Sequence, residues 1–210
     1  MRPGFWRGLW LGLVLLAAMT ETAAAVPATT RADELKQAQS GLAALLERYG
    51  DQHPRIAEAR LRVAIWQRLA KEDRREPIVL QHAWVERDVM RLRHLEKHPD
   101  FIAQQARVTA MEQQWESAPA SPEALLEAMG ELAALGTHLG VQHPKYQDQL
   151  RKVAALRRHL LGPGKESYDL RLARAMQEYY GGRYDVNHPK MREIAAQIAA
   201  LEAGQAAAKP

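Results

Sequence analysis

Apolar residues return along this chain on two beats. The short beat is helical. Ile56, Ala59, Val63 and Trp66 fall three or four positions apart, as do Leu35 and Ala38. Polar residues fill the intervening positions, the signature of an amphipathic helix. The long beat is 45 residues, marked by a His-Pro dipeptide at His53-Pro54, His98-Pro99, His143-Pro144 and His188-Pro189.

Counting from each histidine as zero, position −18 is Leu35, Leu80, Leu125, Leu170 and position −15 is Ala38, Ala83, Ala128, Ala173. At −8 stand Leu45, Met90, Leu135, Tyr180, and at +3 stand Ile56, Phe101, Tyr146, Met191. Position +10 holds Val63, Val108, Val153, Ile198, and +13 holds Trp66, Met111, Leu156, Leu201. Position +11 is small throughout (Ala64, Thr109, Ala154, Ala199), and Ala59, Leu150 and Ile194 fill the gap at +6 or +7. Self-similarity at a fixed period is the mark of a repeat architecture.

Each repeat therefore reads as helix A, a short loop and helix B. Proline at the first helical position gives up no hydrogen bond, and its fixed φ suits a helix start. The residue before it is pushed out of the α region, so each histidine stands at the N-cap of helix B. Gly50 and Gly140 occupy the place where helix A takes a left-handed terminal residue; Leu95 and Asp185 replace them in the other repeats. Between repeats, Ser117 to Pro122 and Gly162-Pro163-Gly164 are strong stops. Ser121, Pro122 and Glu123 read as N-cap, first helical position and acidic first turn. The first joint, Lys71 to Pro77, is weaker, and helix B is expected to run long into it.

The expected fold is all-α: four tandem 45-residue helical hairpins, eight helices of roughly 15–20 residues, stacked as a short α-solenoid or closed as a bundle. The constant period favours the solenoid, because each repeat then needs the same neighbour-facing surface. The repeats span about 32–76, 77–121, 122–166 and 167–203 of one domain at 32–203, with 26–31 a flexible leader and 204–210 a flexible tail.

Residues 1–25 change the picture of where this domain works. Arg2 and Arg7 precede an apolar run from Leu9 to Met19, and Ala23-Ala24-Ala25 offers small residues for cleavage. This is the pattern of a secretory signal peptide. The run is short of the ~20 residues of a membrane span, so no transmembrane segment is expected after cleavage. The protein is expected to be periplasmic or secreted. The chain has no cysteine, which excludes a lipoprotein anchor, disulfides, thiolate metal sites and a cysteine nucleophile. Removing residues 1–25 leaves 27 basic and 24 acidic residues, a net +3. That is too mild to point to nucleic acid.

Repeat one reads LLERYGDQHPRI from Leu45 to Ile56, and repeat four reads HPKMREIAAQIAALE from His188 to Glu202. Both stretches resemble the periplasmic coiled-coil hairpin of polysaccharide chain-length determinant (co-polymerase) proteins, where a Tyr-containing turn precedes a His-Pro helix start. The two flanking membrane helices and kinase domain of that family have no counterpart here. The resemblance implies a periplasmic helical hairpin and not an export activity; the setting expected for its partner is the cell envelope or exopolysaccharide machinery. Leu139-Gly140-Val141-Gln142-His143-Pro144 is in turn similar to the tetratricopeptide repeats of the kinesin light chain type, which implies a protein-interaction module.

Candidate chemistry is sparse. No Gly-rich phosphate loop, HExxH or GxSxG occurs, so a non-enzymatic protein without a cofactor is expected. Glu131, Glu178 and Asp185 lie on polar faces with nothing to distinguish them. His94 and His98 are four apart, but they straddle the proline boundary and need not share a face, so no metal site is expected. Position −5 (Arg48, Arg93, His138, Arg183) and position +2 (Arg55, Asp100, Lys145, Lys190) flank each loop. Stacked repeats would align them as a basic ridge over four helix N-termini, suited to anionic polysaccharide or lipid headgroups. Tyr179, Tyr180 and Tyr184 cluster beside Gly181-Gly182 as a further contact surface. The function these features point to is a scaffold or adaptor binding another envelope protein. The alternative is a periplasmic protein that binds an anionic ligand or a metal ion.

Overall fold

A computed structural model describes residues 30–162 and 165–207. The expected signal peptide, most of the leader and the last three residues lie outside them. Eight helices follow one another: α1 (Arg31–Tyr49), α2 (Pro54–Lys71), α3 (Ile78–Arg93), α4 (Pro99–Ser117), α5 (Glu123–Gly136), α6 (Pro144–Leu160), α7 (Tyr168–Gly181) and α8 (Pro189–Ala207). Among the described residues there is no strand.

The His-Pro dipeptides start every second helix. In all four, histidine Nδ1 accepts the backbone N–H two residues on, at 3.2 Å, from Arg55, Asp100, Lys145 and Lys190. This satisfies one of the N–H groups a helix start leaves without a partner. His98→Ala is expected to lower stability by about 1 kcal/mol, and His98→Asn to restore most of it, because asparagine offers an acceptor at the same place. Urea denaturation of the three proteins measures this.

The core follows the repeat. Leu80, Leu125 and Leu170 at −18 are buried, as are Val63, Val108, Val153 and Ile198 at +10. Leu35 and Ala38 are only half-buried, because α1 has no preceding hairpin to cover it. The apolar clusters each bridge successive helices. Trp66 and Leu69 of α2 pack with Val85 and Val89 of α3, and Val108 and Met111 of α4 pack with Leu126 of α5. Val153 and Leu156 of α6 pack with Ala128 of α5 and Ala175 of α7. Every extensively packed pair joins neighbours along the chain, apart from α3 with α5. That is the contact pattern of an open stack of hairpins.

Neighbouring hairpins do not approach equally. Position −13 is Val85 in α3, Gly130 in α5 and Ala175 in α7, all buried. A Cβ on Gly130 would lie 2.8 Å from Arg107 Cγ and 2.9 Å from Met111 Cγ and Sδ. The missing side chain lets α5 lie closest to α4, whereas Val85 accompanies the looser packing of α2 on α3.

Several local expectations are corrected. Position +11 is small but not buried: Ala64, Ala154 and Ala199 are exposed, and Ile65 and Ala155 at +12 go inside. Leu150 is exposed, and Gln149 takes the buried place beside it. Its Nε2 donates to the Ala128 carbonyl at 2.8 Å, and Gln104 does the same to Ala83 at 2.9 Å, tying helix B to helix A within a repeat. Gly50 takes the left-handed conformation, with φ of 68°, but Gly140 does not: α5 ends at Gly136 and a turn follows. Helix α2 stops at Lys71 rather than running long. The joint after it is held by Arg31, expected in the leader, whose guanidinium donates to the carbonyls of Glu72 and Arg74 and to Gln81 Oε1. Pro122 itself is the N-cap of α5, and Ser121 turns inward to accept from Gln114 Nε2 at 2.8 Å. At the end of the chain, α8 passes through Gly204 to Ala207.

Candidate functional site

The loops between helices A and B gather most of the residues singled out in the sequence. A ring four residues before each capping histidine lies flat on it in three repeats: Tyr49 on His53 at 4.5 Å, His94 on His98 at 4.0 Å and Tyr184 on His188 at 4.0 Å. Leu139 stands at that position in repeat three. The histidines are thus engaged through Nδ1, and in these three repeats through a ring face as well.

The basic positions divide into two groups. Arg93 Nε donates to Glu58 Oε1 at 2.5 Å, and its Nη2 to Oε2. Arg183 Nη1 donates to Asp148 Oδ2 at 2.9 Å and to the Tyr179 hydroxyl at 2.8 Å, while Tyr179 donates to the same Asp148 oxygen at 2.7 Å. In both joints the −5 arginine of one repeat holds the +5 carboxylate of the repeat before it. Arg93 and Arg183 therefore clamp neighbouring hairpins. The others face outward: Arg48 lies over the Tyr49 ring at 5.3 Å and Lys190 over Tyr180 at 4.7 Å. Arg55 and Lys145 are exposed and make no ion pair among the described residues.

The clamps carry a pH dependence. The hydrogen bond from Arg93 holds the Glu58 carboxyl below its ordinary value of 4.5. Burial pushes Asp148 up, but hydrogen bonds from Tyr179 and Arg151 and the charge of Arg183 outweigh it, so its carboxyl sits below the ordinary 3.8. A carboxyl held low in the fold contributes stability above its unfolded pKa, and that contribution is lost as pH falls through the folded one. The melting temperature is therefore expected to fall on acidification through and below these ordinary values. The Glu58→Gln, Asp148→Asn double variant should melt lower at neutral pH and show a shallower acid limb.

The structure does bring His94 and His98 together, with Asp100: one ligand atom from each lies within 4.8 Å of the others. The arrangement is not that of a ligand set. The two imidazoles are stacked at an interplanar angle of 25°, so their lone pairs run side by side rather than converging. His98 Nδ1 already accepts the Asp100 N–H. Metal binding needs ligands aimed at one point and oriented from behind.

A second surface is not legible in the sequence. Three grooves lie between successive A helices, each floored by the intervening B helix. The first, of about 510 Å³ between α1 and α3, is lined by Gly41, Leu42, Leu45, Ala59, Trp66 and Glu86 among others. The second, of about 360 Å³, lies between α3 and α5, and a third of about 410 Å³ between α5 and α7. A cation at +9 enters each one: Arg62, Arg107 and Lys152. Arg62 is bound by both Glu86 oxygens, and Lys152 lies 3.9 Å from Glu131. Glu34, itself buried, pairs with His82 at 3.1 Å on the wall of the first groove. Six carboxylates (Glu34, Glu86, Glu123, Glu127, Glu131, Asp148) and four Lys and Arg line the three grooves, and Asp148 is also held by Arg183, so the surface carries charges of both signs. An Arg, Arg, Lys series at +9, set between apolar positions, reads in the sequence as a solvated face.

None of the described helices is long and apolar enough to cross a membrane. Compared with protein-family models, with curated proteins and with solved structures, the chain matches none.

Proposed function

We propose that this is an exported, non-enzymatic helical-repeat protein, a scaffold or adaptor that binds another protein of the cell envelope. The observation that supports it best is the series of three grooves. Each takes a +9 cation and at least one carboxylate from the A helices, at one repeat's spacing, which suits an extended or helical segment lying across several repeats. The first groove has an apolar floor on Trp66 and Ala59, and the series carries charges of both signs along its walls. The segment it fits has apolar side chains among charged ones. Export rests on the sequence of residues 1–25, and sequencing the N-terminus of the secreted protein tests it: the chain is expected to begin at Val26. The likeness of the His-Pro turns to chain-length determinant hairpins points to exopolysaccharide machinery as the setting.

Gly41 offers a direct test. A Cβ there meets nothing within 4 Å, and the residue opens onto the first groove. Gly41→Trp is expected to fold with unchanged helicity and to fill that groove. Crosslinking in envelope extracts should then lose the partner that the unaltered protein retains. Recovery of the same partner at the same yield would contradict a binding role for this groove.

A further inference from the structure

We infer that copies of this chain stack head to tail, the outer face of α1 in one copy on the outer face of α8 in the next, so that the array of hairpins continues across the junction. The inference goes beyond the groove-binding reading and does not rest on it. Its template lies inside the chain. At the joint of α6 and α7, two cations of α7 hold α6. Arg183 at −5 donates to Asp148 at +5, at 2.9 Å. Arg171 at −17 donates to the Leu160 carbonyl at 3.1 Å, at the C-terminal end of α6. Carbonyls at a helix C-terminus have no partner within the helix and carry partial negative charge, so a cation is favourable there.

Helix α1 carries cations at the same two positions, Arg48 at −5 and Lys36 at −17. Helix α8 offers what α6 offers, a carboxylate at +5 in Glu193 and a C-terminal end. Arg48, Lys36 and Glu193 are exposed and make no ion pair among the described residues. Within the chain the −5 arginine meets a +5 carboxylate at two of the three joints, Arg93–Glu58 being the other. The third joint has neither half, with His138 and Ala103 at these positions. The two ends of the array therefore keep one half each of a pair that the interior uses whenever it has it. Opposite charges placed in register across two faces favour their association and set their alignment.

The surfaces between these groups also fit. Position −13 is buried at Val85, Gly130 and Ala175 but exposed at Ser40, and +12 is buried at Ile65 and Ala155 but exposed at Ala200. Among the described residues no helix covers either outer face. Ser40 and Ala44 on α1, and Ala196 and Ala200 on α8, are small, which lets two helices approach closely. Glu47, beside Arg48, lies at −6, a position exposed in every repeat (Leu92, Thr137 and Gly182 in the others), so it stands outside the junction. A contact between two unlike faces has no reason to stop at two copies, and it builds an open chain unless its rotation closes a ring.

Residues 26–210 contain all eight helices, and this form avoids the apolar run at Leu9 to Met19. In sedimentation velocity its average mass should rise with concentration past that of a dimer. Arg48→Glu and Glu193→Arg should each weaken association about tenfold or more, because each sets like charges across the junction. An equimolar mixture of the two variants should associate again, since each supplies the half that the other has lost, and the double variant should do so alone. Arg55→Glu, the same change of charge at an exposed turn position, should associate as the unaltered protein does. Circular dichroism should be unchanged throughout; where a reversal fails to fold, Arg48→Gln or Glu193→Gln takes its place, with weakened association again expected. The Arg48→Glu protein, held as a monomer, is also the form in which a distance from α1 to α8 reports on one chain alone. A monomer at every concentration up to the millimolar range would overturn the inference. So would a mass that levels off at two copies, or a double variant that does not regain association.

Discussion

Replacing Trp66 by alanine is expected to lower stability by about 3–5 kcal/mol, the range for removing a large aromatic side chain from a core that cannot close over the space. Trp66 is 1% exposed and packs with Leu69, Val85 and Val89, with Leu35 and Ala38 of α1 against the same cluster. Its position makes the effect local. In a stack where each hairpin touches only its neighbours, stability is a sum of repeat and interface contributions. Trp66 serves the interface between the first hairpin and α3, which is already the loosest junction. Hydrogen exchange should show α1 and α2 losing protection in Trp66→Ala while α5 to α8 keep theirs. Uniform loss of protection along the chain would contradict this.

Gly130→Leu is the second large effect, and it acts at the opposite kind of junction. The glycine is where α5 lies closest to α4, with Arg107 and Met111 already inside van der Waals distance of an added Cβ. Met111 is fully buried and has no solvent to move into. Overpacking of this kind costs about 1–3 kcal/mol or more, against about 1 kcal/mol returned by leucine's better helix propensity. Because the junction sits at the middle of the array, forcing it apart separates α1–α4 from α5–α8. Thermal unfolding is expected to change from one transition to two. Adding Met111→Ala should recover part of the loss, and a double-mutant cycle should show coupling between the two sites.

These residues also show how far the sequence carries. The His-Pro beat sets the hairpins correctly, because proline and its preceding residue constrain the backbone locally and need no tertiary context. The −18, +10 and +13 positions are legible for a similar reason: an apolar side chain at helical spacing has few places to go. What fails is finer. Position +11 is small yet faces solvent at Ala64, Ala154 and Ala199, and +12 is buried only at Ile65 and Ala155 while Ala200 is exposed, so a small residue at either position does not by itself tell core from surface. Gln104 and Gln149 read as surface because their burial depends on one backbone carbonyl each. The −5 arginines look like a ridge for anions. Two of them hold Glu58 and Asp148 at +5, but the same column carries Ala103 and Glu193 in the other repeats, too irregular a series to announce a clamp. Gly130 gives no signal at all, since a glycine inside a helix reads as a weak point until the facing helix is known.

The central structural claim is that four hairpins form an open stack. The chain has no cysteine, so two can be introduced without background. Gln39 on α1 and Gln197 on α8 are both exposed. Spin labels at Gln39→Cys and Gln197→Cys should lie about 30 Å apart or more, three steps of roughly 10 Å between packed helices. A distance near 10–15 Å, the spacing of helices that touch or nearly touch, would mean that α1 and α8 close on each other as a bundle and would contradict the open stack.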